Sequence, residues 1–228
     1  TAIWGDVQVT FPADKWHYPE GEVAPEYFGN FHRLNQLKEL AALHLNKDIN
    51  LFMSIGGWTK STNFPIMAAD PAKRAVFIAS SIGAMKKYGF NGLDLDWEFP
   101  VLGPQFSYTE KRPQEAIDFL NLIAELKVAL SQAGAEDGKQ YFLTAAVSAA
   151  PQNMALLSYE EIYKHLDWIN LMTYDFDGAF DNDTGHQSAL YDHQDHADPD
   201  FAENEGQWNT DSAVQYLLSK GVPSHQIV

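Results

Sequence analysis

The chain has no cysteine, which removes disulfides, zinc-thiolate sites and thiol nucleophiles together. It is also poor in bases: 15 Lys and Arg stand against 31 Asp and Glu, a formal charge of −16. A surface of that sign repels phosphate, which argues against nucleic acid or an anionic membrane as partner and favours a neutral one. No apolar run approaches the roughly 18 to 20 residues that span a bilayer, and nothing at the N-terminus reads as a signal peptide. Neither absence fixes the compartment. Internal repeats and low-complexity tracts are missing as well. What remains is a chain of 228 residues, 45% of them apolar, which is enough to bury a substantial core. The expectation is one α/β domain.

Short apolar runs alternate with longer helical patterns, the βαβ signature of a parallel sheet. Strands are expected over 50–55, 92–98, 141–148 and 168–174. The helices between them carry end signals. Asp70 before Pro71 caps a helix that Gly89 closes, and Pro113 and Gly134 bracket the next. Ser158 with Glu161 forms a capping box ahead of Ile162 and Leu166, and a last helix runs over 210–221 with Pro223 beyond. Leu34, Leu37, Ala41 and Leu45 supply the apolar stripe of an earlier helix, read as ordinary core packing. The first 30 residues, with Trp4, Trp16, Tyr18, Tyr27 and Phe28, read as an extended loop leading into that helix.

The most informative stretch is 90–99, Phe-Asn-Gly-Leu-Asp-Leu-Asp-Trp-Glu-Phe. Side chains of a strand alternate faces, so Asp94, Asp96 and Glu98 share one face while Leu93, Leu95 and Trp97 share the other. Cα atoms two apart in a strand lie roughly 6.6 to 7 Å from each other, close enough for neighbouring carboxyls to share a proton. Three acids bounded by Phe90 and Phe99 raise one another's pKa, so that one stays protonated near neutral pH, as a general acid requires. The bland alternatives are a solvated strand face and a structural cation site. The apolar second face and the aromatic borders speak against an exposed edge.

Only about four β/α units fit, and the last residues, 221–228, look like a helix stop followed by the start of another strand. An open four-stranded parallel sheet leaves unpaired edges, so the chain is expected to be a segment of a larger domain.

Three motifs in order, Ser54-Ile-Gly-Gly-Trp58, Asn91-Gly-Leu-Asp-Leu-Asp-Trp-Glu98 and Met172-Thr-Tyr-Asp-Phe176, resemble those of family 18 glycoside hydrolases, the chitinases. Tyr27-Phe-Gly-Asn-Phe31, Gly178-Ala-Phe180 and Gly185-His-Gln187 are most similar to the bacterial chitinase A type. The resemblance covers nearly the whole chain. It implies a (β/α)8 TIM barrel with its site at the C-terminal ends of the strands. Residues 1–228 would then be a partial catalytic domain holding about strands 3 to 6. The first two strands would precede it, and the last two would follow together with an inserted α+β domain. One position departs from the family pattern: Asn91 stands where Asp is usual, ahead of the inward acids.

The resemblance also implies roles. Glu98, at the strand end nearest the barrel mouth, would protonate the glycosidic oxygen. Family 18 is substrate-assisted, the N-acetyl group replacing an enzyme nucleophile. Asp96 would turn between Asp94 and Glu98 and hold the acetamido N–H. Tyr174 and Asp175 would clamp the acetamido oxygen, Ser54 would hydrogen-bond the Asp94 side, and Met172 would floor the pocket. Trp58 and Phe180 would stack against sugars on the leaving-group side, in a chain that is 13% aromatic. Trp97, facing away from the acids, is expected in the core. Gly56 and Gly57 let the backbone approach another strand or a ligand closely.

The implied substrate is chitin or chito-oligosaccharide, with no cofactor, no metal and a secreted location. His186, His193 and His196 sit in an acidic rim loop, but no regular element fixes a ligand spacing there. Three alternatives stand beside this reading: an endo-β-N-acetylglucosaminidase acting on N-glycans, a lectin-like member that has lost the acid, and a metal-dependent enzyme using the acid cluster. The presence of Glu98 speaks against the lectin.

Overall fold

The computed structural model describes residues 30–181, 184–191 and 208–228. The extended lead-in expected for Trp4, Trp16, Tyr18, Tyr27 and Phe28 lies outside them, as do His193 and His196. Four strands, β1 (Phe52–Gly56), β2 (Gly92–Asp96), β3 (Phe142–Ser148) and β4 (Trp168–Met172), form one sheet in the order β1-β2-β3-β4. All three pairings are parallel. Each crossover therefore needs a helix, and the chain supplies α2 (Phe64–Ala68) and α3 (Pro71–Lys87), then α4 (Gln114–Asp137), then α5 (Pro151–Met154) and α6 (Tyr159–Ile162). Helix α1 (Asn30–Leu45) precedes the sheet and α7 (Thr210–Ser219) follows it. Among the described residues no helix is long and apolar enough to cross a membrane.

Alternation sorts the strand side chains as the pattern predicts. Leu93, Leu95 and Trp97 are buried on the helical side. There the Trp97 ring stacks on Phe64 at 5.4 Å and meets Phe119 edge-on at 5.8 Å. Helix α4 closes that layer with Phe119, Leu122, Ile123, Leu126 and Leu130, a three-and-four spacing that puts all five on one face. Burial of each such side chain contributes about 1.5 to 3 kcal/mol. Arg74 ties the helices to one another. It is itself buried, its guanidinium takes Glu125 of α4 through Nε and Nη2, and Nη1 donates to the Ala68 carbonyl at 2.6 Å.

Several expected boundaries move. Helix α4 runs through Gly134 and stops at Gly138, which takes the left-handed conformation (φ 63°). Gly134 serves packing instead, because a Cβ there would lie 2.6 Å from the Lys139 carbonyl. Ser158 makes no capping hydrogen bond, and Glu161 pairs with Lys164 rather than reaching back. In α1, Leu34, Leu37 and Leu45 are exposed; the helix buries Phe31 and Ala41, with Phe31 against Tyr88 and Phe90. The Asp70 cap does form, its carboxylate accepting from the Ala72 and Lys73 N–H groups. The start of a further strand at the C-terminus is also present. Val228 exchanges hydrogen bonds with Ile169 and Leu171, partly covering the outer edge of β4.

Strands β2 and β4 end at Asp96 and Met172 rather than at 98 and 174. Past β4 the Thr173 N–H turns back to the Leu171 carbonyl. Past β2 the backbone is taken up by the turn after β1. Glu98, Tyr174 and Asp175 therefore project from loops at the C-terminal edge of the sheet.

Candidate active site

The inward face of β2 meets polar side chains from β3 and β4. Asp94 is opposite Thr144 in register, and its Oδ1 accepts from Thr144 Oγ1 at 2.6 Å and from Asn170 Nδ2 at 2.9 Å. Trp168 Nε1 donates to Asn170 Oδ1 at 3.0 Å, which turns the amide nitrogen toward Asp94. Asp94 is thus fixed by β3 beside it and by β4 one strand further on. Ser54 lies beside Asp94 in the β1–β2 register, but the hydrogen bonds on that carboxylate come from Thr144 and Asn170 instead. Neither of those two was singled out from the sequence. Asn170 had a signal, as the polar residue of the apolar run Trp168–Met172, whereas Thr144 shares its strand with Ser148.

Beyond Asp94 the chain brings β1 and β2 unusually close. A Cβ on Gly56 (φ 122°) would sit 2.0 Å from the Asp96 carbonyl oxygen, so only glycine fits. The Gly57 N–H donates to that same oxygen at 2.7 Å, and a Cβ on Gly57 would lie 3.5 Å from Asp96 Oδ2. The close approach expected of the two glycines is present at Gly56, while a Cβ on Gly57 would make only an ordinary contact, and the turn delivers the next residue, Trp58, to the acids. The Trp58 N–H donates to the Glu98 carboxyl.

Asp96 and Glu98 are hydrogen-bonded to each other through their side chains. Burial is the main force raising both. The charge of Asp94 adds to it at Asp96, which is pushed up to about 6. The charge of Asp96 and the shared hydrogen bond add to it at Glu98, pushed up to about 7. The mutual elevation that the sequence predicts is present, with desolvation as its first cause. With Glu98 held higher than Asp96, the pair keeps a proton further toward neutrality than ordinary carboxyls do, and Glu98 is the group that favours it. The other oxygen of Asp96, Oδ1, is buried and has no hydrogen-bond partner among the described residues. An acceptor in that state costs about 1 to 3 kcal/mol, so a ligand N–H reached by rotation of the side chain is a favourable exchange.

From β4 come Met172, Tyr174 and Asp175. With Trp58, Asp94, Asp96 and Glu98 they line a cleft of about 420 Å³. The Tyr174 hydroxyl is raised by burial and then by the charges of Asp96, Glu98, Asp175 and Asp94, which places it among the acids. Asp175 adopts a left-handed backbone (φ 57°) and accepts from Gln187 Nε2 at 2.9 Å. The Gln187 carbonyl in turn accepts from the Phe176 N–H at 3.0 Å, so the returning loop braces the residue.

Trp58 presents 42% of its surface to solvent and is supported at 5.3 Å by Phe106 and at 6.4 Å by Phe99. Phe106 is itself exposed and was not singled out from the sequence. It rides on a loop pinned by buried Glu115, which accepts from the Val101 N–H and the Tyr108 hydroxyl. Phe180 is exposed and lies outside the cleft lining.

Chemically, the site offers a proton donor paired with a carboxylate, a phenol facing both, and an apolar platform at one rim. The sequence model described as glycosyl hydrolases family 18 matches residues 6–228. Chitinase A1 of Niallia circulans is 36% identical over 226 residues, covering 99% of this chain and 30% of that protein. Among solved structures, chitinase ChiA74 from Bacillus thuringiensis aligns at a TM-score of 0.81 and 34% identity, covering 100% of this chain and 34% of that one. Catalytic domain 2 of the Ostrinia furnacalis Group II chitinase, solved as a mutant in complex with penta-N-acetylchitooctaose, aligns at a TM-score of 0.71 and 27% identity. That alignment covers 86% of this chain and 48% of the other. The chain spans less than half the length of each.

Proposed function

Because the chain belongs to the family 18 glycosyl hydrolases, we propose that it carries the catalytic centre of a chitinase. That enzyme hydrolyses β-1,4-N-acetylglucosamine linkages with retention. The observation that carries this reading is the hydrogen-bonded Asp96–Glu98 pair, both carboxyls raised, facing Tyr174 across the cleft. Glu98 donates its proton to the glycosidic oxygen as the bond breaks. The substrate's own acetamido oxygen closes on the anomeric carbon, the route on which family 18 dispenses with an enzyme nucleophile. Asp96, relieved of the Glu98 proton, takes the acetamido N–H and stabilises the oxazolinium charge. Tyr174 donates to the acetamido oxygen, with Asp175 beside it shaping the subsite. Glu98, now ionised, accepts a proton from the water that opens the ring.

The four parallel strands are placed in this reading as strands 3 to 6 of a closed (β/α)8 barrel, the architecture that gathers catalytic groups at strand C-terminal ends. Chitin or chito-oligosaccharide is the proposed substrate and a secreted location the proposed setting. Release of shorter oligomers from a chito-oligosaccharide by the full-length protein tests the activity, and failure to cleave any would end it in favour of the lectin reading.

Trp58 and Phe180 are the proposed sugar platforms. Trp58→Ala should raise KM for long oligomers by roughly 10-fold, the equivalent of about 1.4 kcal/mol, while turnover of short activated substrates changes little. Steady-state kinetics against oligomer length checks this. An equal loss at every length would make the indole a structural side chain.

A further inference from the structure

Ser61 opens the short 3-10 turn Ser61–Asn63 and is completely buried, at 0% exposure. Its one hydroxyl hydrogen is shared between the Gly57 carbonyl at 3.0 Å and the Asp96 carbonyl at 3.2 Å, and its oxygen accepts from the Glu98 N–H at 2.9 Å. The first of these bonds is local. The other two cross to the segment that follows β2, 35 and 37 residues away.

They fall on the two peptide groups that flank Trp97, at the point where the β1–β2 ladder has run out with Gly56 opposite Asp96. Ser61 therefore stands in for the missing strand partner. Trp97 is locked into the core on the opposite side, and the Ser61 bonds take hold of the peptide groups on either side of it.

We infer that Ser61 is a positioning residue of the reaction, its hydroxyl holding the Glu98 backbone so that the Glu98 and Asp96 carboxyls stay within hydrogen-bond reach. The inference rests on the chitinase reading above and adds a residue outside its motifs. The charged and titratable groups facing Glu98 are Asp96, and Tyr174 and Asp175 from beyond β4, with Asp94 acting on Asp96 from behind. The Trp58 N–H faces it from the turn after β1.

In the full-length protein, Ser61→Ala should lower kcat on a chito-oligosaccharide by roughly 10 to 10²-fold, the scale of a displacement near 1 Å. KM should stay within about 3-fold, since no substrate contact is removed. The pH profile should narrow as well. The shared hydrogen bond raises Glu98 and lowers Asp96, so weakening it moves the alkaline limb of kcat/KM down and the acid limb up. Ser61→Cys keeps a weak donor and acceptor on a somewhat larger atom, and should fall between Ala and the parent on both readouts. If Ser61→Ala does not yield folded protein, the cysteine variant carries the test.

A folded variant with parental kcat per active site and unmoved pH limits would overturn the role and leave Ser61 as structural. A parent that cleaves no chito-oligosaccharide would overturn the underlying reading instead. An active parent with inert Ser61 substitutions would overturn only this one.

Discussion

Glu98→Gln in the full-length protein leaves chitin binding in place and lowers turnover of chito-oligosaccharides by roughly 10² to 10⁴-fold, the usual worth of a positioned general acid. Gln keeps the shape and can still accept from the Trp58 N–H, but it has no proton to give the departing oxygen. Aryl glycosides, whose leaving groups need little protonation, should lose much less, and comparing the two substrates separates acid catalysis from a folding defect. Stability moves the other way. Both carboxyls titrate above their ordinary 3.8 and 4.5, so between about pH 4 and pH 7 the folded chain holds protons that the unfolded chain has released. Stability is then favoured below that window and lost as pH rises through about 6 and 7. Removing one of these groups should therefore raise the melting temperature of Glu98→Gln above the parent at pH 8. Parental turnover on the unactivated oligomer would remove Glu98 from its role.

Asp96→Asn should be comparably severe, with a different signature. The variant loses the anion that stabilises the oxazolinium and accepts the acetamido N–H. It also loses the charge and the hydrogen bond that hold Glu98 high. In the parent, Asp96 must be ionised and Glu98 protonated, so kcat/KM rises with pH through about 6 and falls through about 7, values that belong to the pair. In Asp96→Asn the acid limb should disappear and the alkaline limb move to lower pH. A bell of unchanged width in the variant would assign those limbs to other groups.

The acids were legible because a strand has a period of two, and that arithmetic sorts 93–98 into a core face and a site face without any knowledge of partners. The same reasoning found Trp97 in the core, while the close approach at Gly56 followed from the missing Cβ of glycine, at a point where backbone geometry leaves no room for a side chain. It failed where the decisive contact is distant. Thr144, Asn170 and Ser61 reach their partners across 50, 76 and 37 residues, and nothing in their own neighbourhoods names those partners. Helix ends failed for a related reason. Gly134 looked like a stop but is a packing glycine against the returning chain, and Ser158 has the residues of a capping box without its hydrogen bond. The stripe of α1 followed a helical period whose leucines lie exposed among the described residues.

Substrate assistance fixes the stereochemical outcome and separates it from direct displacement by water. When the acetamido oxygen attacks the anomeric carbon and water then opens the oxazolinium from the original face, the first sugar released keeps its configuration. Proton NMR of the full-length protein acting on a chito-oligosaccharide, read in the first minutes before mutarotation, should show the β-anomer formed first. An initial α-anomer would mean direct displacement by water, and would contradict the roles given to Asp96, Tyr174 and the acetamide together.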